Sequence, residues 1–236
     1  MKRFVVIMLL LASSLAVSFG LQDEFTDLIE LKIVEKRFEN DLIRVDLRIP
    51  LLRFSKDLEF SKSLNKEIQE KFMLLVNRVL EDAKSIEKDP MLSVSLPYSV
   101  RARTIVSHLA DELLSCVIYV FHYTGGAHEN LDVFSYTIDL AERKILRLKD
   151  LFSDSFDYEG RMKQYLIEQI KSRPEVFLPN ALDELSRLNV DQLAFTVSKA
   201  GLTLYFLPYV VSPFSFGILD ITIPWSRFRD GLKLSF

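Results

Sequence analysis

Two adjacent glycines fix where this chain must reverse direction. Gly125 and Gly126 stand in Tyr123-Thr124-Gly125-Gly126-Ala127-His128, between two stretches that both read as β-strands. Residues 113–123 run Leu-Leu-Ser-Cys-Val-Ile-Tyr-Val-Phe-His-Tyr, and residues 131–140 run Leu-Asp-Val-Phe-Ser-Tyr-Thr-Ile-Asp-Leu. A turn that asks for positive φ is the simplest use of such a pair.

Around that reversal the pattern is mostly that of strands. Ile29 to Phe38 and Asp41 to Pro50 read as a hairpin turned at Asn40-Asp41. In the second arm Ile43, Val45, Leu47 and Ile49 alternate with Arg44, Asp46 and Arg48, which gives one buried face and one wet face. Ser63 reads as the N-cap of a long helix from Leu64 to about Ile86. Its stripe of Leu64, Ile68, Phe72, Leu75 and Val79 should cross the sheet. Tyr98 to His108 is another strand, and Asp111-Glu112 turns into the 113–123 strand. Ile145 to Leu148 reads as a short strand after residues 131–140. From Tyr98 to Leu148, sequential hairpins of this kind predict an antiparallel meander.

The last third adds two helices, one capped by Ser155 or Asp157 and running through Lys171, the other capped by Asn180 and running through Leu188. Strands follow at Leu193 to Val197, Leu202 to Leu207 and Ile218 to Ile223, with a loop from Pro208 to Gly217. The expected class is α+β: antiparallel sheets, with a long helix in the N-terminal half and two helices in the C-terminal half packed on them. The expected organisation is a leader at 1–20, an N-terminal subdomain at 21–150 and a C-terminal subdomain at 151–236.

The leader follows from Lys2 and Arg3 ahead of an apolar run from Phe4 to Val17, a secretory signal pattern shorter than a bilayer span. It predicts export to the periplasm, the cell surface or the medium, with no membrane span once the signal is cut. Cys116 is the single cysteine, so no intramolecular disulfide is available. With 30 basic against 33 acidic side chains the chain is slightly acidic, which is not a nucleic-acid-binding profile.

Ser115, the Tyr123–His128 stretch, Tyr136-Thr137-Ile138-Asp139-Leu140 and Leu148-Lys149-Asp150-Leu151-Phe152 resemble a bacterial family of extracytoplasmic domains of unknown function. Pro208-Tyr209-Val210-Val211-Ser212-Pro213-Phe214-Ser215-Phe216-Gly217 and Ile223-Pro224 continue the likeness. Members of that family are similar to the outer domain of the lysozyme-sensing anti-sigma factor RsiV and to the N-terminal domain of the peptidoglycan deacetylase PdaC. The resemblance implies a two-part α+β module outside the membrane, used where proteins meet the wall or enzymes acting on it. Its implied partners are a lysozyme-like hydrolase or a cell-wall glycan.

The residues themselves offer little catalytic machinery. His122, His128, Glu129 and Asp132 are close in sequence but lack the tight spacing of a metal site, so no metal and no cofactor are expected. Gly125-Gly126 has no Lys or Ser/Thr to complete a phosphate loop, and no nucleophile elbow is present. The binding candidates are Tyr123, Gly125, Gly126 and His128 at the reversal, with Tyr209 and Phe214 in the later loop. There Tyr209, Phe214 and Phe216 should be partly exposed if the loop binds, and buried if it does not. The expected function is a non-enzymatic binding module of the envelope. A hydrolase with a site near His128, Asp139 and Asp150 is the alternative, and a purely structural envelope component is a third reading.

Overall fold

The computed structural model of the chain describes residues 29–55, 57–89, 91, 95–110 and 112–233; the leader expected at 1–20 lies outside them. The elements run β1 (Ile29–Glu39), β2 (Ile43–Phe54), α1 (Leu58–Ile86), β3 (Tyr98–Ala110), β4 (Leu113–Tyr123), β5 (Asn130–Asp139) and β6 (Lys144–Ile145). They continue with α2 (Tyr158–Ser172), α3 (Ala181–Arg187), β7 (Ala194–Ser198), β8 (Gly201–Phe206) and β9 (Leu219–Pro224). The first six strands form one sheet in sequential order, and β7-β8-β9 form a second, antiparallel one. The fold is α+β, as the sequence pattern indicates.

One pairing departs from the expected antiparallel sheets: β2 and β3 run parallel, from Ile43 beside Tyr98 to Arg48 beside Arg103. The cause is the length of α1. Its 29 residues travel about 43 Å at 1.5 Å per residue, roughly the length of the 12-residue β2. The chain is therefore carried back to the start of β2 before β3 begins.

Two compact units emerge, one taking in the described residues up to Arg103 with Phe121–Asn130, the other Thr104–Val120 with Leu131–Phe236. In the first, Asn40 makes the β1–β2 turn by accepting from the Leu42 and Ile43 N–H groups. The α1 stripe is buried as patterned: Leu64, Ile68, Phe72, Leu75 and Val79 all lie in the core. The helix starts earlier than expected, however. Asp57, not Ser63, is the N-cap, accepting from Phe60 N, and Ser63 is an exposed interior residue. The extra turn is held by tertiary contact: the Phe60 ring packs edge-on against Phe54 at 5.1 Å, and the Ser61 hydroxyl is engaged by β2.

β2 also runs past Pro50, where the sequence pattern ends it. β3 accompanies β2 only to Arg48, so proline's missing N–H faces an edge along which no strand continues among the described residues. Further along that edge, α1 side chains take the strand's place. The Asn65 carboxamide accepts from Leu52 N at 2.9 Å and donates to Leu52 O at 2.6 Å, and Ser61 Oγ accepts from Phe54 N at 2.8 Å. Asn65→Ala should cost about 1–3 kcal/mol in urea unfolding, because it strands two backbone groups. An Asn65→Asp variant keeps the acceptor but loses the donor to Leu52 O, and should fall between the two.

In the second unit, Met162, Leu166 and Ile170 of α2 join Leu202, Leu204 and Ile223 in one apolar core with Phe152 and Phe228. The outer edge of β7 is satisfied by hydroxyls. Ser135 Oγ accepts from Phe195 N at 2.9 Å, and Ser115 Oγ accepts from Val197 N at 3.0 Å while bonding the Thr137 hydroxyl at 2.8 Å. Ser115 and Thr137 are fully buried, so a buried polar network ties β4, β5 and β7 together. The strand expected at Ile145 to Leu148 stops after Ile145. Asp150 pulls the following residues into a 3-10 turn, Leu148–Leu151, by accepting from Arg147 N at 2.9 Å.

Candidate functional site

The glycine pair lies in the six residues between β4 and β5, and its two members do different work. Gly125 has φ +86°, and a Cβ there would come within 2.9 Å of both Ser95 Oγ and the Tyr98 hydroxyl. Gly126 has no such demand: the nearest atom to its notional Cβ is His128 O at 3.7 Å. Tyr123 packs edge-on against the buried Tyr98, ring centroids 6.2 Å apart. The Tyr123 ring thus braces the residue that Gly125 must clear. Gly125→Ala should lower stability by about 1–2 kcal/mol and Gly126→Ala should leave the thermal midpoint nearly unchanged, as read by calorimetry.

His128 is exposed, with Nδ1 at 3.0 Å from Glu129 O. Glu129 is paired with Arg101 at 2.5 Å, and the Arg101 guanidinium lies over the Phe121 ring at 5.3 Å. This cation–π pair was not among the sequence candidates, because neither residue type nor spacing marks it.

Asp139 and Asp150, placed with His128 in the hydrolase alternative, both serve turns. Asp139 Oδ1 accepts from Glu142 N at 2.7 Å. Asp150 accepts from the Arg147 backbone and guanidinium, with Lys144 at 3.6 Å. Partial burial pushes the Asp150 carboxyl up, but those Arg147 bonds and the two nearby cations hold it below the usual aspartate range. A carboxylate held ionised in this way is a poor proton donor. Cys116 is fully buried, and burial raises its thiol to about 12, against a smaller opposing hydrogen bond from the Tyr136 backbone. It is a packing residue rather than a nucleophile. Among the described residues no three His, Cys, Asp or Glu side chains gather as metal ligands would.

The loop at 207–217 is different in kind. Its sequence, Leu-Pro-Tyr-Val-Val-Ser-Pro-Phe-Ser-Phe-Gly, contains no charge in a chain that is 27% charged. Val211 and Ser212 are buried and anchor it, and Leu178 N donates to Val211 O at 2.9 Å. Above the anchor, Tyr209 is 63% exposed and Phe216 45%, while Phe214 is half-buried and stacks on Tyr209 with centroids 6.0 Å apart. Tyr209 also adopts φ +68°, a left-handed conformation that costs a non-glycine residue on the order of 1–3 kcal/mol. Its N–H donates to Ser212 O at 2.8 Å, which holds that conformation in place. The loop presents an aromatic ring on a fixed backbone. Phe216 belongs with Tyr209 and Phe214, although pattern alone cannot tell an exposed phenylalanine from a buried one. The neighbouring Tyr205 and Phe206 are core, and the half-buried Trp225 donates Nε1–H to Ser198 O at 2.7 Å.

Comparison with known proteins finds likeness in two consecutive stretches of the chain. Residues 37–130 match the family described as Deacetylase PdaC, and residues 149–226 match the protein of unknown function family DUF3298. The peptidoglycan-N-acetylmuramic acid deacetylase PdaC of Bacillus subtilis (strain 168) is 23% identical over 130 residues. That alignment takes in 54% of this chain and 28% of the deacetylase. Among solved structures, a DUF3298 family member from Bacteroides fragilis superposes with a TM-score of 0.66 at 20% identity, covering 87% of this chain and 94% of that one. Another from Pseudomonas aeruginosa gives 0.57 at 18% identity over the same shares. These likenesses concern the fold. Along the chain, a stretch at 37–130 similar to the PdaC-type domain is therefore followed by a stretch at 149–226 similar to the DUF3298 domain.

Proposed function

We propose that the protein is a non-enzymatic binding module of the cell envelope, which contacts a wall-active protein or a wall glycan through the aromatic loop at 207–217. The observation that carries this reading is Tyr209: a large ring, mostly exposed, held on a left-handed backbone by an anchored and uncharged loop. Exposed, conformationally fixed aromatics lose little entropy on binding and suit both sugar faces and protein pockets. The likeness to a peptidoglycan deacetylase supports an envelope setting. No helix among the described residues is long and apolar enough to cross a membrane.

The test is retention of the purified chain on immobilised lysozyme-type hydrolase and on purified peptidoglycan sacculi. Retention on one of them is expected, and it should persist at raised salt because the loop carries no charge to screen. If neither surface retains the protein, the reading fails.

A further inference from the structure

We propose that Lys36 guards the open edge of β1 and keeps the chain from pairing there with a second copy of itself. β1 is the first strand of the six-stranded sheet, and among the described residues no strand lies beyond it. It is paired with β2 along all 11 of its residues, so its other edge offers a long row of backbone donors and acceptors. Such an edge is a template for another strand unless something spoils it.

The register shows what spoils it. Val34 sits opposite Ile49, Lys36 opposite Leu47 and Phe38 opposite Val45, and all three β2 residues are core. Lys36 therefore projects on the core side of the sheet, between Val34 and Phe38. It is half-buried, and burial alone pushes its ammonium pKa down. A strand laid along β1 would cover the Lys36 stem and strip more water from its charge.

A second copy meets a further obstacle. Two β1 strands related by a two-fold axis overlap over their full length only when centred on Val34. That register sets Lys36 opposite Lys32 of the other copy, and like charges directly opposite are unfavourable. Moving the centre to Ile33 would set Lys36 against Glu30, which Lys32 already engages.

Lys36→Val removes the charge and puts a β-branched residue in the strand, so the fold should be kept. In sedimentation equilibrium it should self-associate about tenfold or more tightly than the parent chain, while Lys36→Arg, which keeps the inward cation, should match the parent. Adding Ile33→Pro to Lys36→Val tests the place. Leu52 and Phe54 turn their N–H groups away from β1, so strand alternation turns the Ile33 N–H outward to the open edge, where a proline blocks a new ladder. The double variant should return to the parent's behaviour. Three results would overturn the proposal: Lys36→Val no more associated than the parent, association that survives Ile33→Pro, or a parent chain whose own association Ile33→Pro abolishes.

Discussion

Gly201→Ala is expected to destabilise the protein by about 3 kcal/mol, among the largest effects of a single methyl group anywhere in this chain. Gly201 has φ +155°, and a Cβ built on it would stand 2.1 Å from Ile223 O, 2.8 Å from Ile223 C and 3.1 Å from Pro224 Cα. All three are backbone atoms of β9, which pairs Gly201 with Pro224. No side chain can rotate aside, so either β9 shifts in register or the β7–β8 turn opens. Ile223 is fully buried in the second unit's core, and movement of its backbone would also loosen the packing on α2. Urea unfolding should show a lower midpoint with little change in slope. A midpoint equal to the parent's would mean that β8 and β9 do not approach each other this closely.

Tyr209→Gly is expected to separate folding from binding. Glycine adopts φ near +68° without strain, so the variant should be as stable as the parent or slightly more so. The same change deletes the ring that is 63% exposed. Central aromatic contacts in interfaces carry 2 kcal/mol or more, so affinity should fall by about 30-fold or more. Tyr209→Ala would lose the ring but keep the backbone strain, which makes it the less clean substitution. A matching cut at Tyr123 would mix effects, because that ring braces Tyr98 beside Gly125.

What the sequence made legible were features set by local pattern. The β1–β2 hairpin, the α1 stripe and the turn at Asn40 follow from alternation, from periodicity of three to four, and from side-chain caps. What it hid was tertiary. Pro50 reads as a strand stop because nothing local reveals that β3 has left that edge and that Asn65 bonds Leu52 instead. The parallel β2–β3 pair depends on the length of α1 relative to β2, a comparison that no local window makes. Asp57 outcompetes Ser63 as a cap because Phe60 and Ser61 find partners on β2. In the candidate site, Tyr209 and Phe214 were legible as aromatics in a loop punctuated by Pro208 and Pro213, whereas the exposure of Phe216 and the Arg101–Phe121 pair needed the folded structure. At the reversal, only one of the two glycines answers to geometry. Gly125 is fixed by Tyr98 and Ser95, and Gly126 by nothing close to it.

The most direct measurement of a binding role for the 207–217 loop is a side-by-side titration of the parent chain and Tyr209→Gly, with both confirmed as folded. It is run against whichever of peptidoglycan sacculi or lysozyme-type hydrolase retains the parent. Binding through Tyr209 predicts saturable binding by the parent and about a 30-fold or greater weakening in the variant at unchanged stability. Equal binding by the two proteins would contradict it and would move the contact away from the 207–217 loop.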